Sequence, residues 1–311
     1  MNLANLALDP HGPKVIAAWE AEEKLFRFYG LSAKEHFIPL ADQDLNVRVL
    51  EIGEGEPLLV VPGNTGDVFP LASLLAELKG RRIIAINRPG GGLSDGMDHN
   101  LVNIRPFAVD TLETILDAFD LAAVDIVAHS IGAHWSLLLA MSKPERVRSL
   151  SLLGNPGNVM QGRPPFFLRL LGKRSLNKFL IKLLLPKDQD HALNSLVTVG
   201  HSREFVNTLP KELSHCYHAF RYLPNYEISL LSLMENAPAT ITGNQLGTIR
   251  QPVQLLLGDH DTFASVATGQ AIIAAIPNGQ LHMIKDTGHL PWLERPQACG
   301  TIIMDFLSGL S

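Results

Sequence analysis

Apolar residues cluster along this chain in short runs separated by longer, mixed segments. Leu58-Leu59-Val60-Val61, Arg82-Ile83-Ile84-Ala85-Ile86, Val124-Asp125-Ile126-Val127 and Val147-Arg148-Ser149-Leu150-Ser151-Leu152-Leu153 open the series. Pro252-Val253-Gln254-Leu255-Leu256-Leu257 and Gln280-Leu281-His282-Met283-Ile284 continue it. Unbroken rather than alternating hydrophobicity over such lengths suits strands covered on both faces, as in a parallel sheet. Between the runs, helical spacing marks residues 69–79, 104–119, 134–141, 264–275 and 291–307. Strand and helix in alternation predict an α/β fold with right-handed crossovers. Residues 36–40 and 45–52 read as antiparallel strands, with the turn Gly53-Glu54-Gly55-Glu56-Pro57 returning the second of them to the first buried strand.

Two regions break this rhythm. Residues 155–241 contain no strand pattern and read as a helical cap inserted into a core made of residues 35–154 and 242–311. Residues 1–34 read as an N-terminal extension whose amphipathic helix, residues 15–28, docks outside the sheet. In the cap, Phe166, Phe167, Leu170, Leu171, Leu176, Phe179, Leu180, Leu183, Leu184 and Leu185 interleave with Arg169, Lys173, Arg174, Lys178 and Lys182. Most of this apolar face is expected to pack on the main domain and some of it to roof a site. Contact with a membrane or micelle surface is the less expected use of the same residues.

Composition narrows the function classes. The 311 residues, 46% hydrophobic and 18% charged, suit one large domain or a domain with an insertion. A net charge of −5 speaks against a nucleic-acid partner. No apolar run approaches the ~18 residues that cross a bilayer. Met1-Asn2-Leu3-Ala4-Asn5-Leu6 carries no pattern of a leader peptide, and Cys216 and Cys299 are the only cysteines. A cytoplasmic protein without a disulfide framework is the expectation.

The segment Ala128-His129-Ser130-Ile131-Gly132 joins a buried strand to a helix. A serine on so sharp a turn needs small residues two positions either side, and Ala128 and Gly132 supply them. A serine hydroxyl is a weak nucleophile at neutral pH and needs a base, itself oriented by an acid. Gly258-Asp259-His260-Asp261-Thr262 follows the strand ending at Leu257. Asp286-Thr287-Gly288-His289-Leu290-Pro291-Trp292-Leu293-Glu294-Arg295-Pro296 follows the last strand. Loops at strand C-termini gather at one edge of an α/β sheet, so the three can meet.

On these motifs, taken in order, the chain resembles the α/β-hydrolase superfamily from about Glu35 onward, with a mostly parallel eight-stranded sheet flanked by helices and a helical cap. The resemblance implies Ser130 as nucleophile, His289 of the Gly-His-x-Pro-x-x-Glu-x-Pro pattern as base and Asp261, counted from Gly258, as acid. Asp259 is the rival acid. No carboxylate stands in Gly154-Asn155-Pro156, where some relatives carry theirs. The family's early glycine loop corresponds to Pro62-Gly63-Asn64, and a second loop to Asn87-Arg88-Pro89-Gly90-Gly91-Gly92-Leu93-Ser94. The backbone N–H groups of Asn64 and Ile131 are the implied oxyanion donors.

Other patterns carry less. Gly90-Gly91-Gly92 does not fit a nucleotide loop, Ser175-Leu176-Asn177-Lys178 lacks its companion elements, and His215-Cys216-Tyr217-His218 matches no standard metal site. The expectation is therefore a serine hydrolase that needs no cofactor or metal and cleaves a small-molecule carboxylic ester with apolar groups. Amides, thioesters, lactones and carbon–carbon bonds are cut by similar triads, and a slow-turnover receptor is the reading from another class. Nothing in the sequence points to the polar pocket that an acidic dienoate would need.

Overall fold

A computed structural model describes residues 6–160 and 166–310, except the side chains of residues 167, 168, 183 and 184. The expectations for Phe167, Leu183, Leu184 and the first five residues lie outside that description. Eight strands form one sheet: β1 (Ala33–Leu40), β2 (Leu45–Ile52), β3 (Glu56–Val61), β4 (Arg81–Ile86), β5 (Val124–His129), β6 (Val147–Leu153), β7 (Val253–Gly258) and β8 (Gly279–Ile284). Their spatial order is β1-β2-β4-β3-β5-β6-β7-β8. The first two pairings, β1 with β2 and β2 with β4, are antiparallel, and every later pairing is parallel. All six residues of β5 are buried, which is why its sequence shows no alternation.

The turn after β2 leads to β3 as expected, yet the two strands are not partners. β4 lies between them, pairing Ile83 and Ile84 with Ile52 and Glu51 on one side and with Leu58 and Leu59 on the other. A crossover placing β4 there covers both edges of an apolar strand, which a β2–β3 hairpin would leave open.

Helices cover both faces: α1 (Pro13–Phe28), α2 (Ala72–Leu75), α3 (Ile104–Ala118) and α4 (Ile131–Ser142) precede the insertion. The helix expected over 69–79 is shorter than its pattern, a 3-10 turn at Phe69–Leu71 followed by α2. Phe69, Leu71, Leu74, Leu75 and Leu78 are all buried, so packing on every side replaces a single amphipathic face. Ala18, Ala21, Leu25 and Phe26 seat α1 on the core. Its Glu22 is buried against Arg48 of β2 at 2.6 Å. Burial pushes the Glu22 carboxyl above its usual range, against the pull of Arg48.

Between β6 and β7 the regular elements among the described residues are helices: α5 (Phe166–Leu171), α6 (Asn177–Leu184), α7 (Asn194–Thr198), α8 (Arg203–Val206), α9 (Lys211–Arg221), α10 (Tyr226–Glu235) and α11 (Gly243–Leu246). An isolated parallel bridge, Val159 to Ile241, closes the base of this insertion. Leu171 and Ile181 are buried, whereas Phe166, Leu176 and Phe179 stay exposed on the outer side with Arg174, Lys178 and Lys182. The chain finishes with α12 (Val266–Ala274) and α13 (Pro296–Ser308). The expected last helix starts later than its pattern because Trp292 turns inward, buried, and donates its indole N–H to Pro70 O at 2.8 Å. Cys216 and Cys299 are both buried and free.

Candidate active site

β3, β5, β6, β7 and β8 run parallel, so the loops that follow them meet at one edge of the sheet. Ser130 lies there between β5 and α4 with φ 52° and ψ −116°, a backbone conformation that costs a non-glycine residue energy. Gly132 makes that elbow possible. A Cβ at this position would collide with the carbonyl oxygens of Val61 and Pro62 on the neighbouring loop.

The three residues picked from distant motifs are joined. Ser130 Oγ lies 3.0 Å from His289 Nε2, and His289 Nδ1 lies 2.8 Å from Asp261 Oδ2. All three are buried. Asp261 Oδ2 also accepts from Asn155 N–H at 2.9 Å, and Oδ1 accepts from Phe263 N–H at 2.7 Å. Burial works to raise the Asp261 carboxyl, and His289 with these N–H donors outweighs it, holding the group below its usual range. An ionised acceptor there selects the tautomer with the proton on Nδ1 and leaves Nε2 free to accept from the serine. Asp259, the rival, points elsewhere and accepts from Thr287 N–H at 3.2 Å.

Packing fixes the imidazole. Phe263 stacks on the His289 ring at 4.0 Å, and His129 meets it at 4.8 Å. Desolvation, then the nearby His289, drive His129 well below the ordinary histidine range, so it stays neutral. His134 turns away from the site and bonds Gly157 O at 2.6 Å. Neither Asn64 N–H nor Ile131 N–H meets an acceptor among the described residues.

Sequence reading overlooked several supports. His201, from the insertion, is buried and bonds Glu294, whose side chain is only 8% exposed, at 2.5 Å. Leu290 N–H reaches His201 Nε2 at 3.4 Å, and His289 N–H donates to Val199 O at 2.9 Å. The insertion thus grips the loop that carries His289. Glu294 is the glutamate of the Gly-His-x-Pro-x-x-Glu-x-Pro pattern, but no local signal names a partner 93 residues away.

Ser130 and His289 open onto a cavity of about 590 Å³ between core and insertion. Leu71, Leu171, Ile181, Leu196, Phe263 and Trp292 supply much of its wall. Lys187, His191 and Arg221 also reach it. Arg221 is held by Ala192 O at 3.1 Å and Ser195 Oγ at 2.6 Å, and pairs with no carboxylate among the described residues. Asp67, buried, also lines the cavity, and desolvation pushes its carboxyl up to about 7. No group of three or more histidine, cysteine or acidic residues suited to a metal ion occurs among the described residues. Nor is any helix there long and apolar enough to cross a membrane.

Comparison with known proteins agrees with this architecture. The model of the alpha/beta hydrolase fold family matches residues 56–296, and the chain belongs to that family. A 2-hydroxy-6-oxononadienedioate/2-hydroxy-6-oxononatrienedioate hydrolase from Pseudomonas putida is 26% identical over 288 residues, covering 86% of this chain and 93% of the relative. Among solved structures, the naproxen esterase (carboxylesterase NP) of Bacillus subtilis superposes with a TM-score of 0.75 at 17% identity, over 95% of this chain and 99% of its own. A meta-cleavage product hydrolase (CumD) gives 0.70 at 16% identity, over 89% and 98%. The structural likenesses show the fold alone.

Proposed function

We propose that this alpha/beta hydrolase is a serine hydrolase that cleaves carboxylic esters through an acyl-enzyme. Ser130 Oγ attacks the carbonyl carbon while His289 Nε2 takes its proton. Asp261 holds the imidazole and stabilises its positive charge. The oxyanion forms within reach of the N–H groups of Asn64 and Ile131, whose lack of a protein acceptor favours this role. His289 then protonates the leaving alcohol and activates a water that releases the acid and restores Ser130.

The observation that carries the reading is the continuous hydrogen-bond chain Ser130–His289–Asp261 at the floor of a largely apolar cavity. Hydrolysis of a series of p-nitrophenyl esters, short to long acyl chains, by wild type and Ser130→Ala tests it. Turnover is expected in the wild type alone, with the chain-length optimum reporting the cavity depth. Equal turnover by both proteins sinks the assignment.

A second reading is hydrolysis of a carbon–carbon bond in an acidic oxo-dienoate. Two observations favour it: the named activity of the Pseudomonas putida relative, and the guanidinium of Arg221 in the cavity wall without an acidic partner. The two readings share Ser130 and differ in substrate. A 2-hydroxy-6-oxo-dienedioate, followed by loss of its chromophore, decides between them when its kcat/KM is set beside that of the best ester.

A further inference from the structure

Arg88 is buried, 1% exposed, and forms no ion pair among the described residues. A guanidinium in such a place needs acceptors for its five N–H groups. It finds three in a row along one loop. Nε donates to Pro62 O at 3.0 Å, and Nη2 donates both to Gly63 O and, at 2.9 Å, to Asn64 O. The Arg88 backbone N–H adds a fourth tie, to Gly66 O at 3.0 Å. The guanidinium is itself seated over the Trp135 ring at 5.0 Å.

The loop so held is the one that carries the Asn64 N–H. In a trans peptide the carbonyl of one residue and the N–H of the next point in opposite directions. The carbonyl of Gly63 and the N–H of Asn64 share one such plane. Gly63, Asn64 and Ser130 line the cavity, whereas Arg88 stands behind the loop and does not line it. Tying the Gly63 carbonyl to Arg88 therefore turns the Asn64 N–H toward the serine side. On that side the loop has no slack, since a Cβ on Gly63 would collide with the His129 ring. A cation bound to the carbonyl also draws electron density from the peptide and strengthens its N–H as a donor.

We infer that Arg88 is a positioning residue for acyl transfer, which clamps the Pro62–Asn64 carbonyls so that the Asn64 N–H faces the oxyanion, and which polarises that donor. The inference rests on the serine-hydrolase reading. It assigns Arg88 no contact with substrate.

Arg88→Lys keeps a charge but not the three-carbonyl fork, and Arg88→Gln removes the charge. Each is compared with wild type by thermal midpoint, by kcat and KM on a p-nitrophenyl ester, and by inhibition with a trifluoromethyl ketone, which forms an oxyanion on Ser130. Loss of one oxyanion donor typically lowers kcat on the order of a hundredfold or more. Folded Arg88 variants are expected to lose kcat on that scale, with KM within about threefold, and to lose ketone affinity in step with kcat. A folded variant that keeps kcat and ketone affinity overturns the proposal, as does a loss confined to KM. Where neither variant folds, Trp135→Phe carries the test, because the smaller ring leaves a gap under the guanidinium and so loosens the clamp. It is expected to lower kcat and ketone affinity together, and unchanged values in a folded Trp135→Phe overturn the proposal. Ser130→Ala, run alongside, separates failure of the parent reading: activity that survives there is not acyl transfer by Ser130.

Discussion

Asp261→Asn exchanges one carboxylate oxygen for an amide nitrogen at nearly constant volume. In the wild type one carboxylate oxygen accepts from His289 Nδ1 and Asn155 N–H, and the other from Phe263 N–H. An asparagine can satisfy only one side. With its oxygen toward His289, its amide faces Phe263 N–H, donor against donor, and the orphaned group costs roughly 1–3 kcal/mol. With its amide toward His289, the imidazole must move its proton to Nε2 and can no longer accept from Ser130. Both orientations also lose the charge that stabilises the imidazolium. In serine proteases the equivalent exchange lowers kcat about 10⁴-fold, which corresponds to about 5.5 kcal/mol of transition-state stabilisation. The structure predicts a fall of about 10³- to 10⁴-fold in kcat for Asp261→Asn, with KM nearly unchanged. Initial rates on a p-nitrophenyl ester, normalised to folded protein by circular dichroism, give the answer. A loss below about tenfold refutes the role given to Asp261, and the same loss from Asp259→Asn with Asp261 intact moves that role to its neighbour.

Asp67 supplies a pH test of opposite sign to Asp261. Its folded carboxyl stands at about 7, raised by burial from 3.8. Its contribution to stability is therefore whole below about pH 4 and is lost as pH rises through about 7, a change on the order of 4 kcal/mol. Urea unfolding at pH 5 and pH 8 should show a decline in wild type that Asp67→Asn flattens; equal slopes count against the buried carboxyl. Asp261, depressed instead, contributes stability that is present above its ordinary range and lost only in more acidic solution. Gly132→Val, whose side chain would enter the Val61 and Pro62 carbonyls, is expected to abolish turnover or soluble expression, and an active, stable variant contradicts the elbow geometry. Glu294→Ala leaves buried His201 without its acceptor and should cost roughly 1–3 kcal/mol, read as a fall in thermal midpoint; kcat per folded molecule should stay within about tenfold. An unchanged midpoint rules out a structural tie there.

How much of this was legible in the sequence depended on whether the constraint was local. Strands such as Val124–His129 are covered on both faces, so their burial is written as an unbroken apolar run. The elbow is legible too, because its small residues stand two positions either side of Ser130, although the carbonyls that crowd Gly132 come from distant Val61 and Pro62. The order of the strands was not legible. Nothing near Gly53–Pro57 states that a strand beginning at Arg81 will insert between β2 and β3, since that choice is made by nonlocal burial. The supports of the site were hidden for the same reason. His201 meets Glu294, Asn155 N–H meets Asp261, and Arg88 meets the Pro62–Asn64 carbonyls only once the sheet edge has assembled. Arg88 lies in the loop Asn87–Ser94, where nothing in the sequence sets it apart; its burial, 1% exposed, emerges only in the fold.

The account's central claim is that Ser130 is the nucleophile. A fluorophosphonate incubated with the wild-type protein, followed by intact-mass measurement and peptide mapping, tests that claim most directly. The expected result is one adduct per chain, on Ser130, accumulating in step with loss of ester turnover and absent from Ser130→Ala. An adduct on another residue, or full turnover by protein whose Ser130 is fully modified, would contradict it.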